Sequence, residues 1–287
     1  MINIRPALPE ELPQLKDLWR KCFGDPSAYV DIFFQKFCST DQVLVVDDDG
    51  EVDSMAAMLP GTIQLPDGTD VPVGYVYALA TNPYMQGKGH ARQLLKVADD
   101  FLRQRGDKAM VLVPASPSLH RFFEAIGMDE CFATRKVEIL TSALTGETGG
   151  GVLTPISPRE YNEIREGYLK GTFHMTYSDQ QIGSHLAYGD LYKIEIDGAV
   201  GCVAIEYVQK RRLLAKELLI PTDKMAKAVE TIAKEMEASR YHIRTPAFWD
   251  GLPGSYTQAF GMIKWYDMDL HAKYFAQQDA YLGLGFD

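Results

Sequence analysis

Cysteine is scarce and scattered in this chain of 287 residues, where Cys22, Cys38, Cys131 and Cys202 stand far apart. With no C-x-x-C pair, a zinc ribbon or dithiol redox centre is excluded. Such cysteines read as small buried apolar residues in a reducing cytosol. The six histidines include no H-E-x-x-H or comparable cluster, so no metal site is expected. No uncharged apolar run approaches the roughly 18 residues of a membrane helix, and acid stands early at the N-terminus where a signal core would be apolar. Basic residues are outnumbered: 29 Lys and Arg face 39 Asp and Glu, a formal charge of −10. A surface that tracks nucleic-acid phosphates is therefore not expected. With 46% hydrophobic residues, the chain reads as a cytoplasmic globular protein of one large or two ordinary domains.

What is present is concentrated in one stretch, Ala80-Thr81-Asn82-Pro83-Tyr84-Met85-Gln86-Gly87-Lys88-Gly89-His90-Ala91-Arg92. Before it, Val73 to Leu79 is β-branched, aromatic and uncharged, as in a buried strand. After it, Ala91, Leu94, Leu95, Ala98, Phe101 and Leu102 recur at helical spacing, and Gly106 supplies a stop. The glycines thus fall at a strand-to-helix turn. There, backbone N–H groups at the helix start lack intrahelical partners and the helix dipole favours an anion. A phosphate group suits that position.

Two common phosphate loops fail the letters. A P-loop needs Gly-Lys-Ser/Thr, but Gly89 follows Lys88 and Asn82 stands where the first Gly belongs. The dinucleotide fingerprint begins with Gly87 and Gly89, but Arg92 fills its third position and no acidic residue follows at the required distance. The pattern Q/R-x-x-G-x-G/A is met by Gln86 to Ala91. This resembles the pyrophosphate-binding loop of the GNAT family of N-acetyltransferases, which bind acetyl-CoA. Further matches lie on either side. Ile4 to Ala7 and Glu10 to Trp19 look like the family's first strand and helix, and Gln42 to Val46, Asp47 to Gly50 and Ser54 to Leu59 like its next hairpin. Ala109 to Val113 reads as a short strand, and Phe122 to Met128 is similar to the family's F-Y-E-x-x-G-F segment. The resemblance covers about the first half of the chain.

Thr141 to Pro158, rich in Gly, Pro, Ser and Thr, reads as a linker. Beyond it come an alternating strand Tyr192 to Ile196, an Asp197-Gly198 turn and a strand Ala199 to Val208. Then follow a strand Lys216 to Ile220, a helix capped by Thr222 through Met225 and Met236, a strand Tyr241 to Thr245, and Phe260-Gly261-Met262. The order repeats that of the first half. The expected fold class is therefore mixed α/β. A GNAT domain over residues 1–140 has a central, largely antiparallel sheet. After a linker at 141–158, a second degenerate GNAT-like unit occupies 159–287. At the loop position the second unit has Leu219-Ile220-Pro221-Thr222-Asp223. It lacks glycine, Pro221 removes a donor and Asp223 would repel a pyrophosphate, so this unit is not expected to bind CoA.

The resemblance implies a reaction and a set of residues. Leu79, Ala80 and Thr81 would bind pantetheine and direct an N–H at the thioester carbonyl. Gln86, Gly87, Lys88, Gly89, His90 and Ala91, with Arg92 behind, would hold the pyrophosphate, and Ser116 would lie along acetyl-CoA as co-substrate. The residue where many members place an acid tyrosine is Phe123 here, and Tyr75 stands where histone-type members carry a base glutamate. Tyr75, Tyr77 and Leu79 alternate onto one face, making the tyrosines candidates for the acceptor groove. The apolar tail Tyr281 to Asp287 parallels Eis-type acetyltransferases, which join two GNAT units and use a terminal carboxylate as base, so Asp287 is a third catalytic candidate. The expected activity is transfer of acetyl to a primary amine of a small molecule or peptide. The alternative is a CoA-binding protein or sensor without catalysis. Tandem GNAT units also build the tRNA-dependent transferases of the Fem type, but these need a basic surface, and the −10 charge argues against it. Neither nucleic acid nor membrane is an expected partner, and a homo-oligomer stays open.

Overall fold

The computed structural model describes residues 2–209 and 211–285. Asp287 lies outside them. In the first half, β1 (Ile2–Pro6) leads through α1 (Leu12–Phe23) and α2 (Ser27–Lys36) to β2 (Val43–Asp48), β3 (Glu51–Gln64) and β4 (Asp70–Thr81). Then follow α3 (His90–Arg105), β5 (Ala109–Leu112), α4 (Pro117–Glu124) and β6 (Asp129–Leu140). The second half holds β7 (Val152–Pro155), α5 (Pro158–Leu169), β8 (His174–Thr176), α6 (Asp179–Gly183), β9 (Gly189–Ile196), β10 (Ala199–Gln209) and β11 (Arg212–Leu219). It ends with α7 (Met225–Glu235), β12 (Arg240–Pro246), β13 (Tyr256–Trp265) and α8 (Met268–Tyr274). β7 falls inside the segment that reads as a linker and pairs with β9. The helix α2 has no counterpart in the sequence reading. Thr222 opens a short turn, Thr222–Lys224, and α7 begins only at Met225.

All strands join one sheet, ordered β1-β2-β3-β4-β5-β13-β6-β12-β11-β10-β9-β7, with β8 on the far end of β3. The order is a palindrome of two five-strand runs around a centre, and its centre is crossed. The last strand of the second half, β13, pairs with β5 of the first, while β6 pairs with β12 of the second. Each half therefore closes the other's sheet. Among the described residues β4–β5 and β11–β12 are the parallel pairs, one per half, each bridged by a helix, as parallel strands require. The hairpins β2–β3 and β9–β10 turn at Asp49-Gly50 and Asp197-Gly198, all four residues with positive φ, which suits the twist of the paired strands.

Apolar residues divide into three cores. One packs Trp19 of α1 and Phe33 of α2 with Tyr161 and Leu169 of α5, and includes Tyr281 and Leu282 of the tail. α3 covers the other face of the first half through Leu94, Leu95, Ala98 and Leu102, and α7 does so in the second through Ala228, Val229 and Ile232. The four cysteines are free, and all but Cys22 are buried. No helix is long and apolar enough to cross a membrane, and no cluster of metal-ligating side chains occurs among the described residues.

Candidate functional site

The site begins where β4 stops pairing. Val73, Gly74 and Tyr75 are in register with Ala109, Met110 and Val111 of β5, and the pairing goes no further. Beyond, residues of 76–81 and 112–116 line a common cavity of about 960 Å³. β4 carries a one-residue bulge here: Tyr77 opposes Ala57 and Ala80 opposes Met55. Within it Ala78 has φ +51°, a conformation costly for a side chain with a Cβ. A bulge bends and re-aims its strand, and strain of this kind gathers at functional sites. β11 has a matching bulge at Lys216, since Ala204 opposes Glu217 and Ile205 opposes Ala215.

The bulge corrects one expectation. Tyr75 and Tyr77 pack in the α1–α2 core, but Leu79, past the extra residue, packs against the α3 core. The three do not share a face. Tyr75 is 1% exposed and sits in that core, away from the cavity lining. Tyr77 lines the cavity, and its hydroxyl shares a hydrogen bond with that of Tyr29 at 3.0 Å. Burial, reinforced by Tyr29, pushes its pKa well above the usual phenol value, so at neutral pH it holds its proton.

After β4 the chain turns through Asn82, whose side-chain oxygen accepts from the Tyr84 N–H at 3.2 Å. Gly87 and Gly89 have φ +79° and +85°, and Gly89 directly precedes α3 with no side chain capping the helix. The N–H groups of His90, Ala91 and Arg92 thus have no carbonyl one turn back to receive them. A Cβ built at Gly87 or Gly89 would meet nothing within 4 Å, so the cradle is open on that side. His90 is buried, and its Nδ1 has no partner among the described residues. Near it Asp53 is also buried, which raises its carboxyl pKa against the opposing pull of His90. An open turn of donors, a helix N-terminus and Arg92 fit a pyrophosphate. Leu79, Thr81, Gln86, Gly87, Gly89, His90, Ala91, Arg92 and Ser116 all line the cavity. Ala80 turns into the α1–α2 core, and Lys88 is exposed, its Nζ 3.2 Å from Met85 Sδ.

The cavity also gathers residues that the sequence reading did not select. Trp19, Phe23 and Asp25 come from α1 and the turn after it, and Asp25 accepts the Trp19 Nε1–H at 2.8 Å. His120 of α4 lines it with Nδ1 2.5 Å from Glu130 Oε1 on β6. Lys136, Arg244, Gln258 and Phe260 come from the crossed centre of the sheet. His120 stands one helical turn before Phe123, but its partner is on another element, and no local motif joins the two.

Residues 3–125 match the family described as an acetyltransferase (GNAT) domain. This part of the chain is a GNAT domain. No curated protein sequence matches the chain. Solved GNAT structures match far more than residues 3–125. A GCN5-related N-acetyltransferase from Anabaena variabilis is 16% identical, covering 93% of this chain and 74% of its own, with a TM-score of 0.73. Eis1 from Mycobacterium abscessus is 14% identical over 93% of this chain and 75% of its own, with a TM-score of 0.65. A tandem GNAT protein from the clavulanic acid biosynthesis pathway is 12% identical, covers 92% of this chain and 98% of its own, and has a TM-score of 0.55. At these identities the likeness is one of fold, and it extends the GNAT fold across both halves.

Proposed function

We propose that the protein is an N-acetyltransferase that moves acetyl from acetyl-CoA to a primary amine of a small molecule or peptide. The observation that carries this reading is the open, uncapped turn from Gly87 to Arg92 on the wall of a cavity that runs between the parted ends of β4 and β5. Acetyl-CoA supplies an activated acetyl group as its thioester. The chain's own groups would do the rest. The turn holds the diphosphate, Leu79 and Thr81 lie along the pantetheine path, and the backbone after the bulge offers an N–H to the thioester oxygen.

Proton handling falls to other residues than the tyrosines. His120 lines the cavity, and Glu130 accepts from its Nδ1, so the imidazolium form, which also carries an Nε2–H, would give that proton to the departing thiolate. Asp287 remains the base this reading assigns to the amine. Gly285, the last described residue, is buried against the Tyr75 hydroxyl and Phe260, and Phe260 lines the cavity. His120→Gln is expected to lower kcat by about 100-fold, and removal of Phe286 and Asp287 by at least about tenfold. Both should leave acetyl-CoA affinity unchanged. Unchanged turnover in either variant removes that residue from the mechanism.

The first experiment is calorimetric titration with acetyl-CoA, followed by a thiol-release screen over amines; absence of heat overturns the assignment. One molecule should bind per chain, because β11 leads through Ile220 and Pro221 into Thr222–Lys224 without a glycine. A stoichiometry near two would show that the second unit also holds the ligand. The alternative, a CoA-binding protein without catalysis, draws support from the burial of Tyr75, from the raised pKa that keeps Tyr77 protonated, and from Phe123 at the acid position. Binding without thiol release across the screen would favour it.

A further inference from the structure

We infer that the acceptor bears a second cationic group, an ammonium or guanidinium, which Asp25 receives at the α1 corner of the cavity; this deepens the acetyltransferase reading and rests on it. Asp25 is the one carboxylate among the described residues that line the main cavity. Its Oδ2 accepts the Nε1–H of the buried Trp19 at 2.8 Å, which fixes the carboxylate in place. Among the described residues no cation pairs with it, so its charge is directed to the cavity.

The corner suits a cation in two further ways. α1 ends at Phe23, with Gly24 at φ +73° closing its last turn, so the negative pole of the helix dipole stands beside Asp25. The basic residues of that turn do not quench it, because Arg20 and Lys21 both reach back to Asp17, at 3.9 and 2.6 Å. Phe23 lines the cavity yet is 43% exposed, an aromatic ring at the mouth rather than in the core. Carboxylate, helix C-terminus and open ring together make a seat for ammonium or guanidinium.

The seat lies next to the chemistry. The Trp19 ring is 5.5 Å from that of Tyr77, the residue before the bulge at Ala78. Cys22 Sγ, one turn along α1, lies 3.5 Å from the Thr81 carbonyl. Burial and Tyr29 raise the Tyr77 phenol pKa, and the charge of Asp25 adds to the rise, which puts the carboxylate within electrostatic reach of the bulge. The cations of the cavity stand elsewhere. Arg92 follows the glycine turn, and Lys136 and Arg244, in register across β6–β12, hold their heads 5.8 and 5.4 Å from the Phe260 ring centroid. Those two strands lie three and four places beyond β4, about 14 and 19 Å along the sheet. Lys216, over the Tyr188 ring, is engaged by Glu206 at 3.3 Å. An acceptor with one amine at the parted strands and its second cation on Asp25 therefore meets opposite charge at that corner.

The test uses the full chain and two matched pairs of probes: putrescine with butylamine, and lysinamide with norleucinamide. kcat/KM is read by thiol release with acetyl-CoA, and Kd by calorimetry on the CoA-loaded chain. In at least one pair the member with the second cation should be favoured about tenfold or more, beyond the roughly twofold statistical advantage of two equivalent amines. The pair that discriminates tells a free diamine from an amino-acid or peptide acceptor. Asp25→Asn keeps an oxygen for the Trp19 N–H and should erase the preference, through KM rather than kcat, with acetyl-CoA affinity unchanged. Asp25→Glu, which keeps the charge, should retain much of it. No preference within either pair, absence of binding included, overturns the inference, as does an Asp25→Asn chain that is folded by thermal melting and keeps the preference. No heat with acetyl-CoA on the unmodified chain would instead overturn the reading beneath it.

Discussion

Replacing Gly89 by glutamate is expected to abolish acetyl-CoA binding in calorimetry while leaving the chain folded. Gly89 has φ +85° and stands immediately before α3. A residue with a Cβ pays roughly 1–2 kcal/mol for that conformation, which a domain stable by about 5–15 kcal/mol tolerates. No steric clash with the protein adds to it, because the space beside Gly89 is open. That space is the seat proposed for the diphosphate, so the new carboxylate puts bulk and negative charge where two negative charges must sit. The loss should be at least about 100-fold, the worth of roughly two charge-assisted hydrogen bonds. Lys88→Ala and Arg92→Ala are the controls. Lys88 and Arg92 are both exposed, and each substitution should weaken binding by about fivefold, as fits a solvated charge worth roughly 1 kcal/mol. Affinity for Gly89→Glu near that of the parent would mean that the ligand is held elsewhere.

The second large effect concerns stability. Arg165 of α5 and Glu217 of β11 are both wholly buried, and Arg165 Nε lies 3.1 Å from Glu217 Oε2. Tyr161 donates its hydroxyl to the same Oε2 at 2.7 Å, and Glu166 accepts from Arg165 Nη1 at 2.6 Å. Burial works against the guanidinium charge, but Glu217 and then Glu166 outweigh it and hold the arginine's pKa above its usual value. Glu217→Ala leaves that charge with Glu166 alone and removes Tyr161's acceptor, so a loss of about 3–5 kcal/mol is expected in denaturant unfolding. The double variant Arg165→Met/Glu217→Leu should recover most of it, since an apolar pair of similar volume needs no compensating charge. The cluster also explains Gly283, with φ +63°, where a Cβ would lie 2.0 Å from Glu217 Oε1. Gly283→Ala should therefore destabilise the chain and weaken the tail's hold beside the cavity. A Glu217→Ala chain as stable as the parent would show that the buried pair contributes nothing net.

The open glycine turn before α3 was legible in the sequence because its information is local. A glycine spacing, a preceding buried strand and a following amphipathic helix suffice to place a turn with unpaired donors, and Gly87, Gly89, Ala91 and Arg92 line the cavity. The hairpins were legible for the same reason, each carried by an Asp-Gly turn. The shared face of Tyr75, Tyr77 and Leu79 was misread because a bulge at Ala78 leaves no mark in the alternation of apolar residues. The pairs His120–Glu130, Lys136–Arg244 and Arg165–Glu217 were invisible for another reason. Their members are 10, 108 and 52 residues apart in sequence, and only the sheet brings them together. β7 hid in a segment whose glycines and prolines suited a linker, since an edge strand of four residues needs little β propensity.

The crossed centre of the sheet has a consequence for how the protein comes into being. During synthesis the chain emerges from its N-terminus, and domains ordinarily fold as soon as they are complete. Here β5 waits for β13, which follows it by some 150 residues, and β6 waits for β12. Until nearly the whole chain has emerged, the first half carries β5 and β6 with bare apolar edges, which are the surfaces that recruit strands from other molecules. At about 5–20 residues per second that interval lasts on the order of ten seconds or more. The protein has thus tied its first half's completion to its last strands, and a ribosome that stalls after β6 would release an unfinished sheet in need of a chaperone.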